Sequence, residues 1–497
     1  MVNLSDAGRR PLPSLRRAQP PPQLTRLPRA ATGDTIGDGA ALPAIQEGSL
    51  LQHLRGSLSA SDKPKGSPVT VASLRQLGSA SSVRRGLLAL VDSGAGAGGS
   101  FALTILLANA LSREAYGAFV LAYSVYILAL GLHTALILEP FSVFGAGMNL
   151  RAFRAYAAQV AGGHFVWAGG TSALLLLVAG AIRLGSASPL GPAAAGLALA
   201  TPAMLTSEIF RRYCYLTDRA AIAALLSLTG SGGLVLIALG LAGSGGLGEF
   251  SAYLAIAGGR LIGCLAGVVC LQIPWRVPTL RVNREVLQQH WQYGRWVVIT
   301  AFVFQAANQG YYWLLAILLS PADVALVRAG QNLITPVDVS LTAISMLLLP
   351  RASGLVARGH IREFIQLVVR RGVLTLGATA AAALGLVAVG HPLVHYIYRG
   401  KYDEVAVLLP GFALLAVVNG VAGSVNDALK ASRRPDLVFL GYLSAAGVVL
   451  GGIVLVKTFG AAGAVSGMVL SSSIFLAVLI GALSRTIRRR LQEPSSG

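Results

Sequence analysis

The sequence predicts an all-α, multi-pass membrane protein of about twelve transmembrane helices in two parallel six-helix bundles, with both termini cytoplasmic. Three observations carry this reading. First, of 497 residues 54% are hydrophobic and only 12% charged, with a mean hydropathy of +0.66; a water-soluble chain carries about 25% charged residues. Second, apolar runs recur from Gly86 onward, each long enough to cross a hydrocarbon core of about 30 Å. Third, the basic residues between those runs alternate from one side to the other.

The runs are 87–111, 115–138, 157–182, 190–210, 220–242, 250–272, 294–319, 322–349, 366–390, 404–429, 436–457 and 461–484. With the N-terminus inside, the inner loops and tail hold 21 basic residues, including Arg211, Arg212, Arg284, Arg295, Arg370 and Arg371. The outer loops hold five: Arg113, Arg183, Arg399, Lys401 and Lys457. Retention of cationic loops on the cytoplasmic side sets such an alternation, and an error of one helix would scramble it. The net charge of +20 is therefore mainly a topology signal facing anionic membrane lipids, and nucleic acid is not the expected partner. Arg260 and Arg328 are left inside predicted helices.

The longest inner loop divides the chain. We expect a 1–85 arm, an 86–272 bundle, a 273–293 cytoplasmic linker, a 294–485 bundle and a 486–497 basic tail. Residues 1–85 are rich in Pro, Ser, Arg and Gly and lack apolar periodicity, so they bury too little surface to offset ordering entropy. No short apolar segment with a cleavage site marks them as a secretory signal. Weak internal similarity relates the halves: Leu111-Ser112 recurs as Leu319-Ser320, and Gly243 with Gly246 as Gly460 with Gly463. Parallel halves of six helices place a substrate cavity between them. Cys214, Cys264 and Cys270 have no metal-ligand spacing and read as packing residues.

Polar groups within the spans are costly and therefore informative. In the eighth span Arg328, Gln331, Asn332, Thr335, Asp338, Thr342 and Ser345 follow one another at spacings of three or four with a single step of one, so they share one side of a helix. The seventh span adds Gln305, Asn308, Gln309 and Tyr312, and the second Tyr116, Tyr123, Tyr126 and His133. Amides and phenols both donate and accept hydrogen bonds, which suits sugar hydroxyls. A dry polar seam between helices is the competing reading for each stripe. Asp92, among Gly94, Gly96, Gly98 and Gly99, is a candidate for ion coupling, as is Asp338. Arg260 is expected to pair with an acid such as Glu208. His164 reads as a satisfied core histidine rather than a proton relay.

No catalytic constellation, metal site or cofactor motif emerges, and a Walker A sequence is absent, so the chain is not expected to be an enzyme. The ordered motifs Leu111-Ser-Arg-Glu-Ala-Tyr-Gly117, Leu347-Leu-Leu-Pro350, Tyr398-Arg-Gly-Lys-Tyr402, Leu408-Leu-Pro410, Leu429-Lys-Ala-Ser-Arg-Arg-Pro435 and Gly460-Ala-Ala-Gly463 resemble those of one family over 87–485. It is the polysaccharide and O-antigen flippase family of the multidrug/oligosaccharidyl-lipid/polysaccharide (MOP) exporter superfamily. The resemblance implies a MATE-like pair of bundles that alternates access and moves an isoprenyl diphosphate-linked glycan across a bacterial inner membrane. It further implies a glycan polymerase and export machinery as partners, and basic cavity residues for the diphosphate; Arg328 and Arg260 are the ones this chain offers. The first span has an acid and no cavity arginine, and the long N-terminal arm has no counterpart in the pattern. Two alternatives stand beside this: an ion-coupled multidrug or cation antiporter of the same superfamily, and a membrane glycan polymerase or ligase, which would need a larger outer loop.

Overall fold

The computed structural model describes residues 80–185, 187–271 and 283–492, all in helices and short connections. The expectations for the arm at 1–79, for the start of the linker and for the extreme C-terminus lie outside these residues. The helices are α1 Ala80–Ala110, α2 Arg113–Gly145, α3 Leu150–Gly185, α4 Leu190–Leu216, α5 Ala220–Gly243 and α6 Glu249–Leu271. There follow α7 Arg284–Leu318, α8 Pro321–Ala357, α9 Ile361–Tyr398 and α10 Val405–Ala431. The stretch Pro435–Gln492 breaks at Gly460, whose φ of 59° and ψ of −133° are open to glycine and strained for other residues, giving α11 over 435–459 and α12 over 461–492. Just past that turn, a Cβ on Gly463 would lie 1.9 Å from the Leu455 carbonyl oxygen, so the glycine lets the α11–α12 hairpin close. In the matching turn before α6 the positive φ falls on Gly245 rather than on Gly243 or Gly246.

Nine described helices, with 435–492 counted as one, are long and apolar enough to cross a membrane. The helices α7 and α8, of 35 and 37 residues, are longer than most of their neighbours but are not among the nine. Their polar stripes lower the hydropathy, as expected of helices that face protein or a cavity rather than lipid. Several helices also begin before the apolar runs. Arg151 and Arg154 lie on α3, Arg284 and Arg295 on α7, and Arg370 and Arg371 on α9, so much of the basic loop set sits on helix ends. The last ten residues assigned to the 273–293 linker are the first turns of α7.

Within the first bundle α5 packs on α6 and α1, α4 on α6, and α3 on α4; within the second, α10 packs on α8, α9 and the α11–α12 pair, and α7 on that pair. The bundles meet through α2 and α1 against α7 and α8. Small residues set the closest approaches. A Cβ on Gly117 would sit 1.7 Å from the Pro321 carbonyl oxygen at the start of α8, and one on Gly99 would sit 2.6 Å from Ser231 Cβ on α5. The other three glycines of the α1 cluster meet nothing within 4 Å.

Prolines shape two further joints. Pro140 has no N–H for the carbonyl of Leu136, four residues earlier. The helix adjusts by a π turn, Thr134–Leu138, and Leu136 O receives instead the Nδ1–H of His290 on α7, at 3.1 Å. His290 Nε2 then accepts the Tyr156 hydroxyl at 2.8 Å. Pro202 likewise leaves Ala198 O free within α4, and Ser172 of α3 donates to it at 2.6 Å.

Candidate functional site

A central cavity of about 270 Å³ lies between the bundles. The first bundle contributes Thr104 from α1, Tyr123 and Ser124 from α2, Met204 from α4 and Arg260 from α6; the second contributes Gln309 and Tyr312 from α7 and Arg328 from α8. Among the described residues two guanidinium groups line it and no carboxylate does. In surroundings of low dielectric that composition favours an anion, and the planar fork of each guanidinium matches phosphate oxygens.

Of the residues singled out from sequence, Arg328, Gln309, Tyr312 and Tyr123 meet in this cavity. Gln331 stands behind it, accepting the Tyr312 hydroxyl. Asn332 is buried and donates to Tyr116 Oη at 3.0 Å, part of a seam between α8 and α2. Gln305 spends its Nε2–H on the Ile127 carbonyl at 3.2 Å, again across the bundle interface. Tyr126 is buried against the Tyr123 ring, 5.7 Å between centroids. Asn308 is exposed and donates to Phe304 O of its own helix, so the seventh-span stripe divides between cavity and outer surface. Asp338 is ten residues beyond Arg328, about 15 Å along α8. There it lines a separate cavity of about 170 Å³ within the second bundle, with Arg371 and Asn419.

Asp92 is buried and fully engaged. Arg211 donates from Nε at 3.1 Å and Nη2 at 2.8 Å, Tyr215 donates at 2.5 Å, and the Ser227 hydroxyl also donates. Arg211 takes Glu208 as well, at 2.9 Å, which is the acid that Arg260 was expected to find; Arg260 lines the cavity instead. A second loop arginine, Arg371, is drawn inside in the same way, with Asp427 and Ser345 each at 2.6 Å. Loop counting missed both because it treats every arginine near a helix end as solvated. The signal was present: Asp92 and Arg211 lie at the same end of antiparallel spans, so their depths match. His133 and His164 bond at 3.0 Å, and His164 bonds Thr206 at 3.1 Å.

Where α1 and α9 end, the bundles are pinned together by two of the sequence motifs. Arg113 pairs with Glu404 at 3.0 Å and donates to Lys401 O at 2.5 Å. Lys401 donates from Nζ to the carbonyls of Ala108, at 2.9 Å, and Leu111, which close the exposed end of α1. Asn109 donates to Ile397 O at 2.9 Å. Tyr402 lies beneath both cations, with ring-centroid distances of 5.4 Å to Arg113 and 5.7 Å to Lys401. Burial, then the nearby Arg113 charge, pushes the Lys401 ammonium below its ordinary pKa. The motifs after α1 and α9 thus build a closure between bundles rather than the cavity.

A family model described as "Polysaccharide biosynthesis protein" matches residues 193–407. No curated protein matches the chain by sequence. Solved structures do match it by fold. An inward-facing multidrug resistance MATE family transporter of the MOP superfamily aligns with TM-score 0.68 and 13% identity, over 80% of this chain and 96% of that one. The lipid II flippase MurJ, in an inward closed conformation, aligns with TM-score 0.65 and 11% identity, over 82% and 90%. A MOP superfamily transporter from Pyrococcus furiosus, described by the reverse polarity of its binding pocket, aligns with TM-score 0.58 and 14% identity, over 83% and 96%. Over residues 193–407 the chain matches the polysaccharide biosynthesis family, and across its described helices it has the fold of the MOP-superfamily transporters.

Proposed function

We propose that this protein flips an isoprenyl diphosphate-linked oligosaccharide across the bacterial inner membrane by alternating access, delivering it to an outer-face polymerase. The observation that carries the reading is the central cavity, lined among the described residues by two arginines and no acid, in a chain matching a polysaccharide biosynthesis family. Arg260 comes from the first bundle and Arg328 from the second. A diphosphate held between them would be bound by both halves at once, so its binding energy is available to draw the bundles together. Gln309, Tyr312 and Tyr123 offer donors and acceptors to the first sugars. The isoprenyl tail would stay in the bilayer.

The same cavity weighs against export of cations, because two guanidinium groups repel them. Of the acids proposed for ion coupling, Asp92 is neutralised by Arg211, which leaves Asp338 as the candidate the geometry favours.

The test is transport by the purified full chain in vesicles, using a fluorescent isoprenyl diphosphate-linked oligosaccharide and a membrane-impermeant quencher. Arg260→Gln and Arg328→Gln should each slow flipping at least tenfold, and in cells should lower surface glycan while lipid-linked precursor accumulates. Full flipping in the doubly substituted protein would sink the diphosphate role. Proton- or sodium-driven dye export that is lost in Asp338→Asn would replace this reading with the antiporter.

A further inference from the structure

A larger hollow lies away from the central site. It measures about 930 Å³ and runs between α3 and the first turns of α7, beside the π turn of α2. Its walls are mostly apolar, and Val166, Leu174 and Leu287 are more than half exposed there. Along α3 the hollow spans Gln159 to Leu174, about 22 Å at 1.5 Å per residue, which is about the depth of one leaflet, headgroup and acyl chains together.

One end is polar. Asn283 donates to Gln159 Oε1 at 3.2 Å, bridging α7 to α3, and Arg284 follows directly. α7 starts there and α3 starts nine residues before Gln159, on the side that the loop arginines mark as cytoplasmic. Among the described residues Arg284 is the hollow's one arginine or lysine, and no acid lines it.

The geometry points to a binding site for an anionic glycerophospholipid of the cytoplasmic leaflet. Such a molecule supplies what each wall lacks: a phosphate for Arg284 and hydrocarbon for Val166, Leu174 and Leu287. A lipid seated here would bridge α3 of the first bundle to α7 of the second, beside the His290–Leu136 contact, so the anionic lipid content of the membrane would bias how the bundles move. The site does not rest on the flippase reading, since it needs only a membrane.

The tryptophans report on it directly. With Trp275, Trp296 and Trp313 replaced by Phe, the full chain keeps Trp167 and Trp291, both lining the hollow. In phosphatidylcholine vesicles containing a few per cent of lipid with brominated acyl chains, brominated phosphatidylglycerol should quench the fluorescence at least twofold more than brominated phosphatidylcholine. Arg284→Gln should remove that preference. Gly163→Leu should lower quenching by both lipids, because the Gly163 Cβ position meets no atom within 4 Å and a side chain there fills the hollow without displacing protein. Equal quenching by the two lipids, or quenching unchanged by both substitutions, overturns the proposal. Stronger quenching by a brominated isoprenyl diphosphate than by phosphatidylglycerol also overturns it, and would assign the hollow to the transported lipid. No glycan is present, so failure of the flippase reading leaves this result unaffected.

Discussion

Replacing Arg211 with methionine separates a structural ion pair from a working ion site. The substitution keeps most of the apolar stem and removes the charge that faces Asp92. That carboxylate has a fully buried side chain, and Arg211 supplies two of its four hydrogen bonds, at 3.1 and 2.8 Å. Breaking a buried pair from one side costs about 3–5 kcal/mol, because the remaining ion is left uncompensated. Arg211 keeps 26% of its side chain exposed, so water partly relieves the loss and about 2–4 kcal/mol is expected. At about 2 °C per kcal/mol for a chain of this size, the melting midpoint should fall by about 4–8 °C. Asp92→Asn should cost less, about 1–2 kcal/mol, since the amide still accepts from Tyr215 or Ser227. Asp92→Leu combined with Arg211→Met should recover part of the deficit, because an apolar pair needs no compensation. The assay is thermal melting of the detergent-solubilised chain followed by size exclusion, beside vesicle transport on the same samples. If Arg211→Met and Asp92→Asn both melt within about 1 °C of the parent while transport is abolished, the pair is a functional ion site and the structural argument is wrong.

Other perturbations read other joints. Gly117→Ala drives a Cβ into the Pro321 carbonyl, backbone against backbone, and should cost at least the 1–3 kcal/mol typical of overpacking, about 3 kcal/mol or more, seen as lost expression of folded protein. Gly460→Val forces a branched residue into a conformation that glycine alone tolerates, at about 1–3 kcal/mol; a melting midpoint equal to the parent would contradict the turn geometry. The Arg113–Glu404 pair is largely exposed and should contribute under about 1 kcal/mol, so Glu404→Gln should raise labelling of a cysteine placed in the central cavity from outside by no more than about fivefold. Lys401 has its pKa lowered where the two motifs close the bundles together, so closure favours its neutral form. Raising pH from that depressed value toward the ordinary lysine range should therefore strengthen closure, and Lys401→Met should abolish the pH dependence of the same labelling.

Much of the architecture was legible because a bilayer imposes one-dimensional rules. Span length, the scarcity of charge and the sidedness of arginine follow from the cost of placing polar groups in hydrocarbon, and each can be counted along the chain. The all-helical fold and the polar stripes of α7 and α8 were therefore available from sequence, as was Arg328 as a charge that needs a purpose. Which polar residues share a space was not available, because helical periodicity gives a face but not what the face meets. Arg328, Gln309, Tyr312 and Tyr123 converge on one cavity, whereas Asp338 on the same stripe as Arg328 lies in another, since a helix about 55 Å long passes several neighbours. Asp92 stood as an isolated acid until tertiary packing brought Arg211, Tyr215 and Ser227 to it from α4 and α5. The motifs that carried the family resemblance gave no sign of their meeting, 290 residues apart in sequence, where Lys401 caps the carbonyls that end α1. Local sequence determines where a backbone group loses its partner, as at Pro140 and Leu136. Only the packed bundles determine which distant residue, here His290, supplies another.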